Sequence, residues 1–185
     1  QKQPSKQLKK PLKQQKNNRR VVAVCHNIRS AHNIGSIFRT ADAVGAAKII
    51  LGGYSAHPPN QKIAKTALGA ENFVPYERVW RADKILEALK REGFFIAALE
   101  KIKDGAVDSP KMRKPKNIFK FQPKFPLALL MGNEVRGLSK AILARCDEII
   151  YIPMLGKKES LNVSVAFGVA VYQIISKRQS VKCNG

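Results

Sequence analysis

Three stretches of the chain, each following an apolar run, gather polar side chains and glycines: Asn33 to Arg39 (NIGSIFR), a short loop beyond its run, and Gly132 to Gly137 (GNEVRG) and Pro153 to Asn162 (PMLGKKESLN), directly after theirs. In open parallel sheets ligands sit beyond the carboxyl ends of the strands, so three such clusters can converge on one site. Several chemistries are disfavoured at once. No GxGxxG follows a strand, because Gly132 and Gly137 have the wrong spacing, and no Walker A sequence leads to Gly156. A dinucleotide or ATP is therefore not expected. The histidines at 26, 32 and 57 lack helical ligand spacing, so no metal is assigned. Each cluster also has a plain local reading: Asn33 and Asn162 as helix caps, Arg39 with Asp42 as a solvated i,i+3 pair, Gly132 and Gly137 as turn formers.

The elements that must position these clusters alternate. Arg20 to His26 reads as a buried strand, and Asn33 is expected to cap a helix whose apolar face is Ile34, Ile37, Phe38, Ala41 and Val44, with Arg39 off that face. Lys48 to Leu51 reads as a second strand, ended by Gly52 and Gly53. A short helix around Ile63 to Leu68 and a brief strand at Asn72 to Tyr76, interrupted by Pro75, are expected next. Helix Ala82 to Glu92, stopped by Gly93, precedes strand Phe94 to Leu99. Lys101 to Lys124 is basic and broken by prolines, an exposed connection or a binding loop, in which Lys111, Arg113, Lys114 and Lys116 form a charge run. Pro126 to Met131 is a buried strand, Ser139 caps a short helix to Ala144, and Glu148 to Ile152 is the last strand. Alternating strands and helices argue for an α/β fold with a mainly parallel sheet covered on both faces.

Length and charge bound the rest. The 185 residues suffice for one sizeable core, with residues 1–20 expected as a tail, 21–178 as the domain and 179–185 as a C-terminal tail. The first 20 residues hold eight basic side chains, five glutamines and no acid, which reads equally as an electrostatic arm or a solvated linker. A start on Gln1 leaves room for a further domain upstream. The formal charge of +21 attracts polyanions, and RNA is the leading partner. Cysteines at 25, 146 and 183 have neither CxxC spacing nor an even count, and read as reduced thiols in a cytoplasmic setting. No membrane span is expected.

HNIGSIFRTADAVGA, LLMGNEVRGLS and IPMLGKKESLNVSVAFGVAVYQ resemble, in order and spacing, the three motifs of the SpoU class (TrmH-like) of SPOUT RNA methyltransferases, over about residues 21 to 178. The resemblance implies a deep trefoil knot towards the C-terminus, a homodimer, S-adenosylmethionine as cofactor, and methylation of a ribose 2′-hydroxyl of tRNA or rRNA. It assigns the catalytic positions to Asn33, Arg39, Glu134, Ser160 and Asn162. Cofactor contacts fall to Leu130, Met131, Gly132, Asn133 and Gly137 after one strand, and to Ile152, Pro153, Met154, Leu161 and Asn162 after the next. Arginine is a poor proton acceptor, so the role expected of Arg39 is to orient the ribose and its phosphate and to stabilise the forming alkoxide. The alternatives are an inactive RNA-binding protein of the same fold and an enzyme methylating a base.

The helix after Asn162 carries two apolar stripes. Ala166, Phe167, Ala170, Val171 and Ile174 are expected to pack on the core, whereas Val165, Val169 and Tyr172 lie nearly opposite and need a second surface, for which a second subunit is the expected partner.

Overall fold

Five consecutive residues, Val21 to Cys25, are buried, and their side chains alternate between two separate cores. Val21, Ala23 and Cys25 face one and Val22 and Val24 the other, which is why the strand reads as an unbroken apolar run rather than an alternating one. The computed structural model describes residues 20–101 and 114–180, without the side chains of 178–180. Lys111, Arg113, Cys183 and nearly all of both terminal tails lie outside the described residues.

The strands are β1 (Val21–His26), β2 (Lys48–Gly52), β3 (Tyr76–Val79), β4 (Phe95–Leu99), β5 (Lys116–Asn117), β6 (Leu127–Met131) and β7 (Glu148–Tyr151), and the helices are α1 (Ala31–Ala43), α2 (Gln61–Ala67), α3 (Ala82–Arg91), α4 (Lys140–Leu143) and α5 (Val163–Ser180). The strands form one sheet in the order β3-β2-β1-β6-β4-β7-β5, and every ladder is parallel. One face is covered by α1, α2 and α5 through Ile34, Ile37, Phe38, Ile63, Phe167 and Ile174. The other is covered by α3 and α4 through Ile85, Leu86, Leu89 and Leu143. Burying side chains of this size stabilises by about 1.5–3 kcal/mol each, so both layers are needed to hold the strand ends in place.

Three local expectations are corrected. Asn33 does not cap α1: Ser30 does, with φ −68° and ψ 110° and its hydroxyl accepting from the Asn33 N–H at 3.2 Å. The helix starts earlier than its apolar pattern because Ala31 and His32 already fit the first turn, and the Asn33 side chain is thereby released from capping for longer-range hydrogen bonds. The expected strand at Asn72–Tyr76 is instead a 3-10 turn at Ala70–Asn72, with the strand starting at Tyr76. Pro75 has no N–H to donate, but its carbonyl accepts from Ile49 and leads the chain into β3. Finally, the basic connection contains the edge strand β5. Ile118 and Phe121 are buried there, Lys116 Nζ lies 2.6 Å from the buried Glu148 carboxylate, and Lys177 of α5 donates to the carbonyls of Phe119 and Phe121. Two apolar residues among lysines, three apart, were the signal for this docking.

Candidate active site

The carboxyl ends of β1, β6, β4 and β7 lie side by side, and the segments leaving them shape the site. After β6 the chain folds back on itself: Gly137 N donates to Asn133 O at 2.8 Å, and Asn133 Oδ1 accepts from the N–H groups of Val135 and Arg136. Gly137 sits at φ +66°, and a Cβ there would fall 2.5 Å from Glu100 Oε2. A Cβ on Gly132 would come within 2.7 Å of the Gly137 carbonyl carbon. Glycine is thus required at 132 by the closure of the loop on its own backbone. Asn133 Nδ2 also donates to the carbonyl of Asn27 at 3.0 Å, tying this loop to the end of β1.

One chain of side-chain hydrogen bonds joins the three polar clusters. Asn33 Nδ2 donates to Glu134 Oε1 at 3.1 Å, and Asn162 Nδ2 donates to Asn33 Oδ1 at 3.0 Å. Asn162 Oδ1 accepts in turn from Ser164 N at 2.9 Å, so Asn162 is both the cap of α5 and a member of the chain. The Ser30 N–H also points at Glu134 Oε1, at 3.4 Å. Helix capping and the bond between clusters therefore use the same side chain here, and local sequence cannot separate them.

Beside this chain opens a cavity of about 330 Å³. Of the residues singled out in the sequence, Met131, Gly132, Glu134, Gly137, Ile152, Met154, Ser160, Leu161 and Asn162 line it. Leu130, Asn133 and Pro153 do not, and Asn33 stands behind the wall, reaching it through Glu134 and Asn162. Leu130 points to the opposite face of the sheet and packs in the core beneath α3, as the alternation along β6 demands, and Asn133 is occupied in the loop. Arg39 is exposed on α1, outside the cavity wall, and forms no ion pair with Asp42 among the described residues. Glu100, Lys101 and Glu159 line the cavity and were not singled out; Lys101 Nζ reaches to 3.9 Å from the Glu159 carboxylate. The available signal for Glu100 was a single acid ending the apolar run FFIAALE.

The two described cysteines are buried and unpaired. Burial, reinforced by the negative charge of Glu134, pushes the Cys25 thiol far up, and burial raises Cys146 to about 12. Neither is poised as a nucleophile. No group of three or more His, Cys, Asp or Glu able to hold a metal ion occurs among the described residues. The cavity is instead a mixed apolar and polar one: Met131, Ile152, Met154 and Leu161 offer apolar surface, and Glu100, Ser160 and Asn162 offer hydrogen-bond partners. Its size and lining suit a nucleoside carrying a short polar arm.

Fold and cavity place the chain among α/β proteins whose site lies at the carboxyl ends of a parallel sheet. The chain belongs to the SpoU rRNA Methylase family, whose description matches residues 20–172. A protein of Staphylococcus haemolyticus, classed as a TrmH family tRNA/rRNA methyltransferase, is 35% identical over 163 residues, covering 88% of this chain and 61% of the relative. The SpoU methyltransferase AviRb from Streptomyces viridochromogenes, solved in complex with the cofactor AdoMet, superposes with a TM-score of 0.77 at 27% identity, over 89% of this chain and 62% of AviRb. A further solved protein, described for the 2-OH methylation of C/U34 on tRNA, superposes with a TM-score of 0.75 at 26% identity, over 89% of this chain and 99% of its own. The chain spans 61 to 65% of the length of the first curated relatives it matches.

Proposed function

We propose that this chain is an S-adenosylmethionine-dependent RNA methyltransferase that modifies a ribose 2′-hydroxyl of tRNA or rRNA. The observation that carries the reading is the hydrogen-bond chain Glu134–Asn33–Asn162 at the edge of a nucleoside-sized cavity. It links all three family motifs in one place. The neighbour bound to AdoMet supports the cofactor, and the neighbour described for 2-OH methylation supports the ribose acceptor.

S-adenosylmethionine supplies a methyl group already activated on a sulfonium. The protein then has to hold the cofactor, align a ribose oxygen and let that oxygen lose its proton. The apolar side chains Met131, Ile152, Met154 and Leu161 would hold the nucleoside part, with Gly132 and Gly137 allowing the loop after β6 to close on itself beside it. Glu134 and Asn162 fix Asn33, and Ser160 faces the same cavity. Arg39, exposed on α1, orients the ribose and its phosphate and stabilises charge forming on the 2′ oxygen.

The assembly in this reading is a homodimer. Val165, Val169 and Tyr172 of α5 remain 51%, 36% and 51% exposed in the single chain, an apolar stripe opposite the buried one. The insertion of β6 between β1 and β4 supports the knotted C-terminal crossover that the family resemblance implies. The charge of +21 supports RNA as the partner, and the unpaired cysteines fit a cytoplasmic site of action. The deciding experiment is methyl transfer to total tRNA and rRNA in vitro, followed by mapping of ribose methylation. Appearance of a 2′-O-methyl nucleotide with the intact chain and its absence with Arg39→Ala is the expected result. A methylated base in its place overturns the ribose assignment.

A further inference from the structure

Glu100 stands directly after β4 and is, with the exposed Glu159, one of two carboxylates on the cavity wall outside the Glu134 chain; unlike Glu159 it is held in place by backbone donors. Its backbone is fixed by the sheet, since Glu100 N donates to Ile150 O at 3.0 Å. Its side chain is fixed by the loop after β6: Oε2 accepts from Leu138 N at 2.7 Å, and Oε1 accepts from its neighbour Lys101 N at 3.0 Å. A carboxylate offers about four lone-pair sites, and two are taken by these N–H groups. The remaining acceptor capacity belongs to a rigid, half-buried group on the wall of the cavity.

We propose that Glu100 accepts hydrogen bonds from the ribose hydroxyls of the bound cofactor. The inference rests on the reading of the cavity as an S-adenosylmethionine site and adds the residue that recognises its sugar. Two observations support the diol over the cofactor's amino group. The sheet order β1-β6-β4 puts Glu100 two strands, about 10 Å, from the β1 end that leads into α1, where Asn33 and Arg39 lie. The methyl group must be presented on that α1 side, which leaves the nucleoside end of the cofactor for β4. The two backbone donors also hold the carboxylate in one orientation, and a fixed pair of oxygens suits two neighbouring hydroxyls. An acidic side chain beyond a parallel strand meets a ribose hydroxyl in the same manner in dinucleotide-binding sheets.

The test is a binding cycle that needs no turnover. Affinities of the full chain for S-adenosylhomocysteine and for its 2′-deoxy, 3′-deoxy and desamino counterparts are measured by calorimetry, with wild type, Glu100→Ala and Glu100→Gln. A hydrogen bond to a charged acceptor predicts that wild type loses about ten- to a hundredfold on removal of a hydroxyl. Glu100→Ala should bind the parent compound that much more weakly and no longer discriminate against the deoxy forms. Because Glu100→Ala also strands the Leu138 N–H, Glu100→Gln is measured beside it: its amide oxygen still accepts from Leu138, so it keeps the loop while losing the charge, and its discrimination should shrink. Equal discrimination in wild type and folded variants overturns the role of Glu100 and leaves the cofactor reading intact. Failure of wild type to bind S-adenosylhomocysteine overturns both. Sensitivity to loss of the amino group, rather than the hydroxyls, that vanishes in Glu100→Ala would assign Glu100 to the methionine arm and overturn the proposal.

Discussion

Asn162 Nδ2 lies 3.0 Å from Asn33 Oδ1, so the start of α5 is bonded to the first turn of α1 across 129 positions of sequence. Because Asn162 also caps α5, its replacement by Ala removes two interactions at once. The loss of the cap alone costs about 0.5–2 kcal/mol. A double-mutant cycle with Asn33→Ala and Asn162→Ala, read by chemical unfolding, should show coupling above about 0.5 kcal/mol. Additive effects would show that the two side chains act separately.

Arg39→Ala is expected to leave the unfolding midpoint and cofactor affinity near wild type, because the side chain is exposed and outside the cavity wall. Turnover on the true RNA should fall by about a hundredfold or more. Single-turnover kinetics with saturating cofactor make the comparison, and a loss of only a few-fold would remove Arg39 from the reaction.

Gly137→Ala should destabilise the protein by about 1–2 kcal/mol for the left-handed backbone alone. The added Cβ, 2.5 Å from Glu100 Oε2, adds to that and should weaken cofactor binding as well. Thermal unfolding and calorimetry on the same sample read both effects. Unchanged affinity would show that the loop adjusts without moving Glu100.

Val169→Glu places a charge in the exposed stripe of α5 and, in a two-fold dimer, its copy close by. Sedimentation should show wild type as a dimer at micromolar concentration and the variant as a monomer. A wild-type monomer that methylates RNA would remove the dimer from the proposed assembly.

His26 provides a pH dependence. It is partly buried, its Nδ1 has no partner, and burial lowers its pKa from the ordinary 6.5. The unfolded chain takes up this proton at about 6.5, whereas the folded chain takes it up only at lower pH, so below about 6.5 the unfolded state binds more protons. Stability should fall as the pH drops through that window, and the fall should be shallower in His26→Gln. Parallel slopes for the two proteins, by chemical unfolding between pH 7 and 5, would clear His26.

Much of the fold was legible because β1, β4, β6 and β7 are short apolar runs bounded by polar residues, and because the inward stripes of α1, α3 and α5 repeat every three or four residues. The order of the strands was not legible. Nothing in LALLM states that β6 enters between β1 and β4, because pairing choice depends on how the whole chain crosses over. Cavity-lining residues were legible where polar groups clustered, and overlooked where one side chain stood alone, as with Glu100. Leu130 illustrates a different limit: neighbouring residues on one strand face opposite layers, so a motif that spans both Leu130 and Met131 carries one cavity residue and one core residue.

The pairing of β1 with β6 has a consequence for synthesis on the ribosome. The strand Val21–His26 can meet β2 early, but its other neighbour begins only at Leu127. At about 5–20 residues per second, the roughly 100 residues between them take about 5–20 s to translate. Throughout that interval the growing chain presents an apolar strand with one open edge, the kind of surface on which nascent chains aggregate. An interior strand of the finished sheet, β1, is therefore one that needs shelter by a chaperone while the chain is being made.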